Sequence, residues 1–533
     1  MTAHLTQHAF VWYRSVTRPN FIATLRPVCS SALLIAGVLS LYAPHVFADI
    51  KSAEQAMQQQ RFADALAELQ PLAKAGNAQA QVDLGTLLML GQGLPRDDAA
   101  ALTLFNQAAK AGDPLGDLGL ASFYVLRQPG PQSYARAEAL YRKHALEGNA
   151  MAQAGLGGLY LTGVGGPKNY PQAFYWLRLA AEQNNACAKV SLAYLYDNGV
   201  AVPRDTAMAV RLYREAAAQG LAVAQYSLGT LYQNGHDVPT DYQQAYTLYQ
   251  QAAAQGFAQA YTGIGRLYAA GLGVKADGAQ AYDWLRKGAD RGDGAAYDEL
   301  GSLFYKGIDG KPDYKASMTW YAKAAALGDP VGQAGVGYLY EHGAGVPKDD
   351  AQALAWYRKA ANSGYTESEI SVGRFYMLGR GVAEDNAEGM RWMLRAAQQG
   401  DANAQGIVGS VYQHGKYATL DYAAALKWLT LGARGGNNKA QYDLGWTYLM
   451  GTGVSRDLRR GCAWLVVSAA NGYALAKTSL AEGRTGVSLD QRKQAERAAA
   501  AWQPGRDVVL ADEPPGYVGL SAFNLNAPFL PGY

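Results

Sequence analysis

Apolar and polar positions along this chain follow a helical period nested inside a longer one. Around Gly85, residues Leu84, Leu87 and Leu88 fall on one helical stripe. The same arrangement returns every 36 positions, marked by Ala121, Gly157, Ala193, Gly229, Gly265, Gly301, Gly337, Gly373, Gly409 and Gly445, without an insertion. In the copy around Gly229 the stripe reads Leu228, Leu231 and Tyr232, with Ala224 one turn earlier. Self-similarity at a fixed period across eleven copies predicts stacked units, not a string of separate globules.

Each unit resolves into two helices. Six residues after the marker a Gly closes the first helix in ten copies (Gly91, Gly163, Gly199 and onward), as a left-handed C-terminal position requires. Twelve after the marker, nine copies carry Asp: Asp97, Asp205, Asp241, Asp277, Asp313, Asp349, Asp385, Asp421 and Asp457. These predict N-caps, accepting the orphan amide hydrogens of the second helix. That helix carries a Trp column (Trp176, Trp284, Trp320, Trp356, Trp392, Trp428, Trp464). Five residues later comes Ala in every copy, from Ala109 to Ala469, which predicts a close helix crossing. Gly ends the second helix in ten copies and Asn184 in the remaining one.

The string Ala224-Gln-Tyr-Ser-Leu-Gly-Thr-Leu-Tyr-Gln-Asn-Gly235, with Ala353-Leu-Ala-Trp-Tyr-Arg-Lys-Ala-Ala361 in a later copy, resembles the Sel-one-like repeat, a 36-residue relative of the tetratricopeptide repeat. The expected fold is all-α, a right-handed α/α solenoid of about eleven helix-turn-helix repeats over 77–472. Residues 49–76 form an N-terminal cap, with 51–75 as a lone second helix (Phe62, Ala65, Leu66, Leu69, Leu72). Residues 473–502 form a C-terminal cap, including a helix over Asp490–Trp502. Residues 503–533 are a Pro-rich yet apolar tail, expected to dock along the protein's own groove or onto a partner.

Before the repeats, only positive charge occurs in residues 1–27. An uncharged apolar run, Val28 to Tyr42, leads to Val46-Phe47-Ala48. This predicts a signal peptide over 1–48, cleaved near Ala48, and a periplasmic or secreted mature protein; membrane attachment follows only if the segment stays uncleaved. Composition then narrows the function. Lys+Arg 47 against Asp+Glu 44 gives +3, but Arg14, Arg18 and Arg26 lie in the leader, so the remainder is formally neutral and lacks a nucleic-acid footprint.

Chemistry is sparse. His144, His236, His342 and His414 have no metal-ligand spacing and are expected as solvent-facing loop residues. Cys187 and Cys462 lie too far apart along the stack to pair, and read as small buried or half-buried side chains; a cysteine-stapled exported branch of the resembled family is not matched. The Gly-rich string Gly163 to Lys168 follows a helix where a phosphate cradle needs a strand. No catalytic set, cofactor site or metal site stands out from the repeat background, which leaves a hydrolase as a remote alternative.

What remains is surface. Positions three before and one after the marker should line a concave face: Tyr194, Tyr226, Arg266, Tyr338, Arg374, Tyr442 and Trp446. An exposed row of Tyr, Trp and Arg has the composition of a binding surface. The family resemblance implies a non-enzymatic scaffold in the bacterial cell envelope, with other envelope proteins as partners. The alternative is a carbohydrate-binding component of envelope or exopolysaccharide assembly, with Tyr442 and Trp446 stacking on a polysaccharide.

Overall fold

A computed structural model describes residues 48–58, 61–235 and 238–510, and within them all regular structure is helical. The leader 1–47, His236 and the tail from 511 lie outside the described residues. The chain divides between Asp293 and Gly294 into two compact units. The first holds six repeat copies, from Ala78–Leu90 with Asp98–Lys110 to Ala258–Ala270 with Gly278–Asp290; the second holds five, from Gly294–Lys306 with Tyr314–Ala326 to Asn438–Met450 with Leu458–Ala470. In each unit, consecutive helices pack on one another.

The local rules are those the period predicts. All nine Asp positions cap their helices, as when Asp349 accepts from the Gln352 amide at 2.9 Å; Asn169 does the same in one of the two copies lacking Asp. Each capping residue also donates its own backbone N–H to the carbonyl three residues after the marker, for example Asp385 to Tyr376 at 2.9 Å, which fixes the turn between the two helices. The closing glycines adopt positive φ, and Asn184 does so too, at 67°. The marker is small because the second helix crosses there: a Cβ on Gly301 would lie 2.6 Å from the Tyr321 ring.

Two expectations change, and for the tail the described residues show where its first part lies. The N-terminal region is not a lone helix but a pair, Ala48–Gln58 and Phe62–Lys74. Ile50, Ala53 and Ala56 bury one face of the earlier helix. Most of its other positions are polar and no Gly closes it, so it matched no repeat column. His144 is not a loop residue: it lies within Pro131–Leu146 and is 4% exposed. The tail, finally, begins by docking on the protein's own last repeats. Val508 and Leu510 join the core around Trp464, Gly505 N–H donates to the Arg434 carbonyl at 2.7 Å, and Arg434 pairs with Asp507 at 2.7 Å.

Before that tail segment, Ala474–Ala481 and Leu489–Ala500 close the second unit. Cys187 and Cys462 are both buried. No described helix is long and apolar enough to cross a membrane.

Candidate functional surface

The row expected to stand exposed is largely packed. In the first unit Tyr194 is buried, and Tyr226 and Arg266 are half-buried. The Tyr226 ring lies 5.5 Å from that of Tyr249 and 5.3 Å from Phe257, and burial pushes its phenol above the usual range. In the second unit Tyr338, Tyr442 and Trp446 are half-buried, and Arg374 alone of the row is exposed. Tyr442 and Trp446 meet edge to face, 6.3 Å apart at 70°, and do not form a shared platform. Tyr473 covers Tyr442 at 5.1 Å, and the Trp446 indole N–H is buried without an acceptor among the described residues. Helix crossings this close press aromatic side chains against the next copy, so a one-helix projection overstates their exposure.

Around Tyr338 and Arg374 the row is organised by a carboxylate that the sequence did not single out. Glu341 is buried and accepts from Arg374 at 2.9 Å, Arg380 at 2.8 Å and the Tyr357 hydroxyl at 2.9 Å. Arg380 continues to Asp350 at 2.7 Å, and its guanidinium, hydrogen-bonded there, holds the Asp350 carboxyl below the ordinary range. Burial, reinforced by Glu341, drives the Tyr357 phenol well up. Beside this network Tyr338 stacks on His342 at 3.9 Å and meets Tyr305 at 5.5 Å. The result is a Tyr-Tyr-His-Arg surface whose arginine is held upright from below.

A second network runs between copies. Four residues before the marker, six copies carry Gln (Gln81, Gln153, Gln225, Gln333, Gln405, Gln441). Gln153 Nε2 donates to the Ala145 carbonyl of the preceding copy at 3.2 Å and accepts from Gln183 at 2.8 Å. Gln441 repeats this with Ala433 and Asn471. The recurrence of Gln at this column was the available signal.

In the copy 114–149 the pair becomes two carboxylates, Asp117 and Glu147, with His144 between them at 2.8 and 2.7 Å. Burial alone would raise Asp117, but hydrogen bonds from His144 and Lys143 outweigh it and hold its carboxyl below the ordinary range. His342 and His414 are exposed at helix ends, each bonded to a carbonyl of its own helix. Among the described residues no cluster of three or more His, Cys, Asp or Glu could hold a metal ion.

The model of the Sel1 repeat matches residues 78–113 and every successive copy from 150–185 to 438–473, ten in all. The chain belongs to the Sel1 repeat family. The copy this match omits, 114–149, folds as a helix pair like the others, but Arg127 stands where Gly closes the other copies and no side chain caps its second helix. Sel1 repeat proteins, like other tetratricopeptide-like repeat proteins, are generally protein-interaction scaffolds.

Among solved structures, the chain is similar to a protective antigen of uropathogenic Escherichia coli displaying an SLR fold: 30% identity, 81% of this chain and 93% of that one, TM-score 0.44. It is also similar to a Sel1 repeat protein from Oxalobacter formigenes, at 34% identity over 58% of this chain and 90% of that one, TM-score 0.42. No curated protein matches the chain.

Proposed function

We propose that this Sel1 repeat protein is a non-enzymatic scaffold, exported to the periplasm or beyond, that holds partner proteins of the cell envelope. Export rests on the basic leader, its apolar run and the small-residue site at Val46-Phe47-Ala48. One observation carries the binding reading: Arg374, its side chain 45% exposed, is fixed by buried Glu341 beside the half-buried Tyr338 and Tyr305 and the exposed His342. A guanidinium already ordered by a buried partner loses less freedom on binding than a free one, and Tyr and Arg are the residues in which interface energy concentrates.

The carbohydrate alternative has less support, because Tyr442 and Trp446 pack edge-on and half-buried instead of offering open ring faces. Immobilised mature protein and a Tyr338→Ala/Arg374→Ala double variant, each exposed to envelope extract, test the reading. A protein retained by the first and lost from the second supports it, and identical retention counts against it. Signal cleavage is tested by N-terminal sequencing of the periplasmic fraction, where a mature start near Asp49 is expected.

A further inference from the structure

On the first unit lies an open depression lined by Ala253, Ala254 and the rings of Tyr261 and Trp284, whose centroids are 5.7 Å apart. Two cations overhang it: Lys287 Nζ lies 4.6 Å from the Trp284 centroid, and the Arg291 guanidinium carbon 4.4 Å from that of Tyr261. The site is held from several sides. Tyr261 donates its hydroxyl to the Ala253 carbonyl at 2.7 Å, and Arg291 donates to the Lys287 carbonyl at 3.0 Å.

No carboxylate lines the depression, and the nearby Asp290 faces Arg286 instead, at 3.8 Å. Like charges four apart on a helix disfavour each other slightly, and the helix C-terminus offsets part of that. The helix dipole explains why cations are tolerated there. It does not explain why both are laid on aromatic rings at the mouth of one hollow. In three other copies the Arg291 column holds Gln183, Gln255 and Gln399, each turned inward to the interface between copies. Here it turns onto Tyr261.

We propose that Lys287 and Arg291 form a clasp for an acidic side chain on a peptide segment of a partner protein, with Tyr261 and Trp284 as its floor. This deepens the scaffold reading and rests on it. Ring faces already covered by cations are poor sugar platforms but position those cations for a carboxylate. The Ala and aromatic floor gives an adjoining apolar side chain a place that a free anion would leave unused.

The test is fluorescence anisotropy of the full chain with a labelled Glu-Leu-Glu-Glu-Leu-Glu peptide. Saturable binding is expected, weakening with salt and falling at least roughly tenfold in a Lys287→Gln/Arg291→Gln variant, while Lys359→Gln, which alters a cation–ring pair in the second unit, leaves it unchanged. Absence of saturable binding, equal affinity for the double variant or for a Gln-substituted peptide, or displacement by inorganic phosphate at concentrations equal to the peptide's would overturn the proposal. Partner capture through Tyr338 and Arg374 is read separately, so either idea can fail alone.

Discussion

Tyr261 donates its hydroxyl to the carbonyl of Ala253, taking over a bond that glutamine makes elsewhere in the stack. Gln81, Gln405 and Gln441 reach the equivalent alanine carbonyls, those of Ala73, Ala397 and Ala433, at 3.1 to 3.2 Å. The invariant Ala column and the Gln column are therefore one device. A small side chain brings the helices together, and the amide adds a second donor, from the next copy, to a carbonyl that already accepts the N–H of the closing glycine.

Gln441→Ala should be costly for that reason. Gln441 is fully buried and links Ala433 to Asn471, so its loss removes two buried hydrogen bonds, one to the Ala433 carbonyl and one from the Asn471 amide, and is expected to destabilise the second unit by about 1–3 kcal/mol. Urea unfolding followed by circular dichroism measures the effect. An Ala355→Ser change on the exposed face of its helix should leave the midpoint unmoved.

Asp83 gives stability a pH dependence. Burial pushes its carboxyl from the ordinary 3.8 up to about 8, only partly opposed by a hydrogen bond from Gln79 at 3.0 Å. Because the folded state holds the proton more tightly than the unfolded chain, stability is fully present below about pH 4 and is lost as pH rises toward 8. Asp83→Asn should match the parent at pH 3.5 and exceed it by a few kcal/mol, an order of magnitude set by the shift, at pH 8. Thermal melts at the two pH values decide it; equal shifts at both would remove Asp83 as the cause.

Truncation after Trp502 removes Val508, Leu510 and the Asp507 partner of Arg434. Two fully buried aliphatic side chains and a half-buried ion pair point to a loss of roughly 3–5 kcal/mol, concentrated in the last repeats. Hydrogen exchange should speed up in Leu458–Ala470 and Leu489–Ala500 and stay unchanged in the first unit. Uniform protection before and after truncation would show the docked segment to be passive.

Deleting a whole period, residues 257–292, should leave a shorter folded protein, whereas deleting 18 residues should not, since half a period sets a first-helix face against its own kind. Circular dichroism and sedimentation report both outcomes. Equal folding of the two deletions would mean that the 36-residue frame has no energetic content.

Everything that repeats was legible in the sequence, because it depends on interactions within one period. The Asp caps, the left-handed glycines, the small marker beneath a ring and the paired helices are satisfied inside a single hairpin or at its boundary with the next, so each leaves a column. What departs from the repeat was not legible. Whether Tyr194 is covered, whether Arg374 is held by Glu341, whether His144 lies between Asp117 and Glu147, and whether Arg291 turns onto Tyr261 all depend on which side chain the adjoining helix offers in that copy alone. A period records what every copy must do, and tertiary packing chooses among the contacts that only one copy can make.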